Sequence, residues 1–154
     1  MADEISNEAT AAQAELASLF EQMKLSVTVT VGAEDGERVL LEVDGEDAGF
    51  VIGKKGQTLD AVQYVLNRIA AQKKLLERAI HVDAAGYRGR RADSLTELAQ
   101  RLAEQARRTK RPVRAEPMPP QDRRIVHLAL ANETDLETRS EGDEPMRRVV
   151  VLLR

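Results

Sequence analysis

The stretch Gly53-Lys54-Lys55-Gly56 combines two glycines with two lysines, residue types suited to holding phosphate. Glycine adopts backbone angles closed to other residues and lets a ligand approach the main chain. Such a loop at the start of a helix offers backbone N–H groups, a favourable helix dipole and two ammonium groups to an anion. Two glycines three residues apart also form ordinary turns. The surrounding sequence decides between these alternatives.

Charge is unevenly distributed along the 154 residues. Residues 1–50 contain two basic and twelve acidic residues, whereas residues 51–131 contain seventeen basic and eight acidic residues. Residues 132–154 contribute −2, and the whole chain carries −3. Basic charge therefore begins at the glycine–lysine loop, which indicates a polyanion-binding face in an otherwise acidic chain. A merely solvated basic face remains the alternative.

Composition argues against several kinds of site. Cysteine is absent, which excludes a disulfide framework, a thiolate zinc site and a cysteine nucleophile. The two histidines, His81 and His127, are far apart in the sequence, and carboxylates at metal-ligand spacing are missing. Neither a nucleophile elbow nor a Walker A loop is present. We therefore predict no catalytic residue, no metal site and no cofactor.

Export and membrane signals are also lacking. The first twenty residues are acidic and alanine-rich, without the basic start and apolar run of a signal peptide. No apolar stretch approaches the ~18 residues that suggest a membrane span. We predict a cytoplasmic protein without a membrane segment.

Hydrophobic periodicity predicts the elements that precede the loop. A helical stripe covers residues 7–23, with Ser6 or Asn7 as its cap. Alternating apolar and polar residues over 25–31 and 39–43 predict two strands, and a turn between them that includes Glu34 and Asp35 makes a hairpin.

A short helix or turn with Phe50 in the core leads into the loop, and a helix with Val65 on its apolar stripe runs from the loop to about Gln72. A third strand ends at Asp83. The order α–β–β–α–α–β predicts a two-layer α+β domain, which we assign to residues 1–84.

A second domain is predicted over residues 85–154. Its first element is a long arginine-rich helix from about Tyr87 to Arg111, ended by Pro112. The remaining predicted elements are an edge strand at 113–115, a helix from Pro119 to Ala131, and closing strands at 133–140 and 147–154.

Arg123 and His127 are four residues apart on the last predicted helix and share a face. Arginine presents a fork of donors to phosphate, and histidine adds a hydrogen bond or stacks on a base. A local contact at the protein surface is the alternative. Aromatic residues are scarce, so we expect no broad stacking platform. Tyr87 is the one aromatic placed to touch a ligand, with capping of the long helix as its other role.

Taken together, these segments resemble the bacterial Jag family, also called KhpB or EloR. Residues 51–64 (VIGKKGQTLDAVQY) are similar to its KH segment, and residues 83–91 (DAAGYRGRR) to its linker. Residues 116–118 and 122–127 resemble the Arg-three-His motif, and residues 138–142 with 145–150 resemble the closing hairpin. The likeness runs from about residue 10 to the end.

The resemblance implies a type II-like KH domain followed by a small α/β Arg-three-His domain, both binding single-stranded RNA, with single-stranded DNA as a further ligand. It implies an RNA chaperone or post-transcriptional regulator that pairs with a KhpA-like KH protein and is linked to cell elongation and peptidoglycan homeostasis. The implied binding residues are Gly53, Lys54, Lys55 and Gly56 in the loop, Arg123 and His127 in the second domain, and Arg88, Arg91 and Arg124 as secondary candidates.

Two matters stay open at the level of sequence. Many family members carry an additional N-terminal Jag domain and linker, for which this sequence shows no counterpart, so cell-wall roles that need that domain are in question. A protein–protein adaptor, in which the KH surface mainly binds a partner protein, is the alternative function. The acidic first fifty residues and the few aromatic residues are compatible with it.

Overall fold

The structure, a computed structural model, describes residues 2–33 and 36–154. The chain divides into two units, Met1–Arg88 and Gly89–Arg154. Each unit has its own hydrophobic core. The predicted turn residues Glu34 and Asp35 lie outside the described residues.

The first unit confirms the predicted order α–β–β–α–α–β. Its elements are α1 (Ala2–Gln22), β1 (Thr28–Val31), β2 (Arg38–Asp44), α2 (Ala48–Ile52), a 3-10 turn (Lys54–Gly56), α3 (Gln57–Lys73) and β3 (Ala79–Ala84).

The sheet of the first unit has the strand order β1-β2-β3, with β1 antiparallel and β3 parallel to β2. Strand β2 alternates as its period-two pattern predicts, with Val39, Leu41 and Val43 fully buried. These side chains belong to the same core as Leu16 of α1 and Leu66 of α3. One apolar face of the sheet therefore packs with the two long helices, which fixes the start of α3 beside the glycine–lysine loop.

The outer edge of β3 is covered by side chains. Asn67 of α3 accepts from the N–H of Ile80 and donates to its carbonyl, at 2.9 and 2.7 Å. Gln63 accepts from the N–H of Val82 at 2.8 Å, and the Nε of Arg88 donates to the Val82 carbonyl at 2.8 Å. An edge strand with satisfied polar groups is protected from pairing with another chain. These bonds also join α3 to β3.

Two predicted boundaries in the first unit are wrong. Helix α1 begins at Ala2, so Ser6 and Asn7 lie inside it and do not cap it. Strand β1 begins at Thr28 because the chain before it finishes the helix: the N–H of Leu25 donates to the carbonyl of Phe20 at 3.0 Å.

Two predicted core residues of the first unit are exposed. Phe50 is 73% accessible, because the short helix α2 turns only Ala48 and Val51 into the core. Val65 is 43% accessible, because the buried stripe of α3 consists of Leu59, Val62, Leu66 and Ala70. Both predictions are wrong because apolar residue type does not say which side of a helix faces inward.

The second unit is a three-stranded antiparallel sheet with two helices. Its sheet has the order β4-β6-β5, and Val126 and Val151 are fully buried in its core. No helix in the described part of the chain is long and apolar enough to cross a membrane. The elements are α4 (Tyr87–Thr109), which begins just before the unit, β4 (Val113–Arg114), α5 (Pro120–Ala129), β5 (Leu136–Glu141) and β6 (Arg148–Leu153).

Candidate nucleic-acid interface

The glycine–lysine loop has an unusual backbone. Gly53, Lys55 and Gly56 all have positive φ, at 69°, 53° and 74°. The N–H of Gly53 donates to the carbonyl of Gly49 at 3.0 Å and closes the last turn of α2. The chain then reverses and starts α3 within a few residues. Left-handed backbone is strained for residues other than glycine, so Lys55 is held there by its surroundings.

Each glycine of the loop is also required by its neighbours. A Cβ at Gly53 would overlap the hydroxyl of Thr58, and a Cβ at Gly56 would lie 2.6 Å from Cε1 of Tyr87. The Tyr87 ring is half-buried and packs against the core of the first unit. The aromatic predicted to touch a ligand or to cap a helix thus lies against the loop and supports it.

The loop presents positive charge at the start of a long helix. Lys54 is exposed and Lys55 is half-buried. Gly56 is the N-cap of the 17-residue helix α3. The N–H of Gln57, the first of the helix, donates to the carbonyl of Lys54. Gly56 has no side chain that could accept from the N–H groups after it, and N–H groups at the start of a helix suit an anion.

Arg88 lies in the first unit and is bound internally. Its Nη1 donates to Asp60 at 2.9 Å and its Nη2 to Gln63 at 3.2 Å, beside the bond from Nε to Val82. The carboxylate of Asp83 accepts from the backbone N–H of Arg88 at 3.1 Å, near the start of α4. The side chain of this secondary candidate therefore joins α3, β3 and the start of α4.

In the second unit, Arg123 lies on α5 and is only 7% exposed. Its Nη1 donates to the carbonyl of Met118 at 2.7 Å, and its Nη2 donates to Glu144 at 2.6 Å. The Glu144 side chain is half exposed, so this ion pair opens to solvent on one side. Arg123 thus joins α5 to the segment before it and to the turn between β5 and β6.

His127 is held by two hydroxyls of β5. Its Nδ1 lies 2.7 Å from Oγ1 of Thr138, and its Nε2 lies 3.0 Å from Oγ of Ser140. A neutral imidazole has one donor and one acceptor, and hydroxyls satisfy either role. Burial first, and then the positive charge of Arg123, lower the pKa of His127 below its ordinary value. Burial and the charge of Arg123 therefore favour the neutral ring.

The two other arginine candidates of the second unit, Arg91 and Arg124, differ in their exposure and in their hydrogen bonds. Arg91 donates from Nε and Nη2 to the buried carboxylate of Asp122, at 3.0 and 2.8 Å. Arg124 is exposed on α5. In the described residues, no group of three or more histidine, aspartate or glutamate side chains is placed to hold a metal ion.

Thr138, Ser140 and Glu144 were not singled out from the sequence, although they hold His127 and Arg123. The spacing of Thr138 and Ser140 on one strand was an available signal, because residues two apart share a face. The position of Glu144 depends on the turn after β5 and could not be read from a pattern.

Each of the two units contains a segment that matches a known protein-family model. Residues 10–82 match the model for the KH domain of KhpA/KhpB, and residues 93–153 match the model for the Arg-three-His domain. The RNA-binding protein KhpB of Clostridium symbiosum is 38% identical over 140 residues, covering 90% of this chain and 63% of its own length. The chain belongs to the KhpB family.

Two other KhpB proteins match this chain with similar sequence identity. The RNA-binding protein KhpB of Bacillus subtilis (strain 168) is 37% identical over 134 residues, covering 83% of this chain and 61% of its own. That of Lactiplantibacillus plantarum is 34% identical over 132 residues, covering 85% and 41%. The chain thus spans about six-tenths of the length of the first two KhpB relatives. These names describe RNA-binding proteins and do not describe enzymes.

The packing around the glycine–lysine loop predicts how one added methyl group at Gly56 changes stability. Gly56→Ala places a Cβ against the Tyr87 ring on backbone with positive φ. We expect the free energy of unfolding of the first unit to fall by about 2–4 kcal/mol, from strain and overpacking together. Urea unfolding followed by circular dichroism measures this change.

The matched control is Gly49→Ala, because a Cβ at Gly49 meets no atom within 4 Å. Alanine is favoured over glycine within a helix by roughly 0.5–1 kcal/mol, so this variant should be as stable as the wild type or more stable. Equal stability of the two variants would contradict the role assigned to Tyr87.

The surroundings of His127 predict a pH effect on the second unit. Because its pKa is lower in the folded than in the unfolded state, the unfolded state binds more protons below the ordinary value of 6.5. The free energy of unfolding should therefore decrease as the pH falls from about 7 through 6.5 and below. His127→Gln should reduce this decrease in the urea unfolding of the second unit. Identical pH profiles of wild type and His127→Gln would refute the prediction.

Proposed function

We propose that this chain binds single-stranded RNA, with the Gly53–Gly56 loop holding the phosphate backbone. The observation that carries the proposal is the left-handed loop with two lysines at an N-terminus capped by glycine. KH modules clamp backbone nucleotides with a GxxG loop of this kind. Relatives named as RNA-binding proteins support RNA as the ligand, and the same chemistry would accept single-stranded DNA.

In the proposed mechanism, Gly53 and Gly56 let the strand approach the main chain. The N–H groups of α3 that follow that of Gln57, together with the ammonium groups of Lys54 and Lys55, bind successive phosphates. No bond of the RNA is made or broken in this mechanism, which makes the function one of binding.

A second contact is proposed on α5. His127 is half-buried and Arg124 exposed, whereas Arg123 lies almost entirely inside. We assign phosphate binding chiefly to Arg124, with His127 and the open side of Arg123 beside it. The internal bonds of Arg123 to Met118 and Glu144 would keep this surface in shape. Two weak sites on one chain gain affinity through effective concentration if one strand engages both.

We further propose that the chain acts as an RNA chaperone or post-transcriptional regulator with a KhpA-like KH partner. The exposed face of α3, with Tyr64 and Val65 at 68% and 43% accessibility, offers an apolar surface for such a partner. The link to cell elongation and peptidoglycan homeostasis rests on family resemblance and follows if the regulated RNAs serve those processes.

The loop proposal predicts the behaviour of a double variant, Lys54→Asp with Lys55→Asp. Repulsion between carboxylates and phosphates should weaken binding to a random single-stranded RNA pool at least tenfold. The log–log dependence of the association constant on salt should become shallower by about 1.4, from about 0.7 per phosphate contact. Fluorescence anisotropy at several salt concentrations measures both quantities.

The control carries the same change of charge in the same unit: Lys24→Asp with Lys74→Asp. Both lysines are exposed and have positive φ, as Lys55 has, and aspartate tolerates this backbone. Equal loss of affinity in both double variants would show that net charge, and not the position of the lysines in the loop, determines binding. That result would contradict the proposed phosphate-binding role of the loop.

The α5 proposal predicts different effects of neighbouring arginines. Arg124→Ala should make the salt dependence shallower by about 0.7 and change stability by less than about 0.5 kcal/mol. Arg123→Ala removes the bonds to Met118 and Glu144 and should lower the free energy of unfolding by about 1–3 kcal/mol as well as weaken binding. Unaltered RNA affinity in both variants would show that α5 is not part of the RNA-binding surface.

The second candidate function is a protein–protein adaptor, favoured by the apolar surface of α3. An adaptor would pair with a KhpA-like protein whether or not RNA is present, and Val65→Asp would abolish that pairing. Filter binding to a random RNA pool, with and without the partner, separates the functions. RNA retained by the chain alone supports direct binding, whereas retention only with the partner supports the adaptor.

A further inference from the structure

Among the side chains of residues 7–33 and 36–154, Phe50 is the most exposed large hydrophobic one, at 73% accessibility. Single exposed apolar residues are common on protein surfaces and by themselves indicate no function. The position of Phe50 adds information, because α2 has five residues and ends at the proposed phosphate-binding loop. Its neighbours Ala48 and Val51 are buried, so the orientation of the helix is fixed by the core.

The phenyl ring lies close to the loop along the chain. The bond from Gly53 to Gly49 closes the turn of α2 that contains Phe50, and one helical turn advances ~5.4 Å. A Cβ at Gly49 would meet no atom within 4 Å, so the surface beside Phe50 is open. An exposed aromatic side chain with open surface beside it therefore lies about one turn from the first glycine of the loop.

A single strand held by its phosphates leaves its bases free to turn toward the protein. Proteins recognise such unstacked bases by stacking them on aromatic side chains. Every base has a π face, so this contact adds affinity with little dependence on sequence. Positive charge at Lys54 and Lys55 would bring the backbone to the same place.

We propose that Phe50 stacks on a nucleobase of the strand whose phosphates are held by the loop. This inference rests on the proposed function and adds a base contact to that same site. It assigns the affinity of the first unit to two different interactions: an electrostatic one at Lys54 and Lys55, and a stacking one at Phe50.

The test compares three substitutions at Phe50 in the full chain. The probe is a fluorescein-labelled random 12-nucleotide single-stranded RNA, and binding is measured by anisotropy. Phe50→Ala and Phe50→Leu should weaken binding by about fivefold to a hundredfold, the range expected for one stacked base. Phe50→Trp should bind as tightly as the wild type or more tightly. Leucine is the decisive substitution because it keeps an apolar side chain and removes the π face.

Two further measurements distinguish stacking from charge. Phe50→Ala should leave the slope of the salt dependence unchanged, because phosphate contacts alone set that slope. The chain contains no tryptophan, so the indole introduced by Phe50→Trp is a sole reporter whose fluorescence should be quenched by bound RNA. Met23→Ala is the control, since Met23 is an exposed apolar residue of the same unit outside the proposed site.

Each outcome decides the matter. Wild-type affinity in Phe50→Leu, or unquenched fluorescence of Phe50→Trp at saturating RNA, overturns stacking. If the double lysine variant still loses affinity in that case, the phosphate clamp stands without the base contact. A wild-type chain that does not bind the RNA overturns the proposed function and the stacking contact together.

Discussion

The contact between Gly56 and the Tyr87 ring fixes the point from which α3 begins. Tyr87 packs against the core of the first unit and occupies the space that a side chain at position 56 would need. The next residue, Arg88, binds Asp60 in the first turn of α3 and the carbonyl of Val82 in β3. The loop therefore ends at a helix whose start is held from two sides. Its left-handed backbone is sustained by this packing, since Lys55 would not adopt it alone.

Sequence patterns were sufficient for the order of elements in both units, because period-two and helical stripes report directly on burial. They failed where burial depends on three-dimensional neighbours. Phe50 and Val65 are apolar, yet they lie on the outer sides of α2 and α3. Helix α1 extends before its expected cap, and β1 is shortened by the hydrogen bonds that end α1.

In the candidate site, too, features that depend on neighbouring residues in the sequence could be predicted, whereas features that depend on tertiary contacts could not. The glycines and lysines of the loop could be selected from the sequence because their chemistry is local. The environment of Arg123 could not, because Met118 and Glu144 surround it only after α5 and the β5–β6 turn fold together. A motif thus identifies which residues share a helix face, while burial determines how much of each remains available to a ligand.

The burial of each basic or aromatic side chain determines how much it can contribute to the affinity for an RNA strand. Arg88, Arg91 and Arg123 form internal ion pairs, and an arginine whose donors are already bound adds little to an incoming phosphate. Lys54, Arg124 and Phe50 are exposed and keep their side chains accessible to solvent. Ionic contacts weaken with salt and stacking does so much less. A strand bound by both would therefore be held against competing ions while the charged residues still speed its approach.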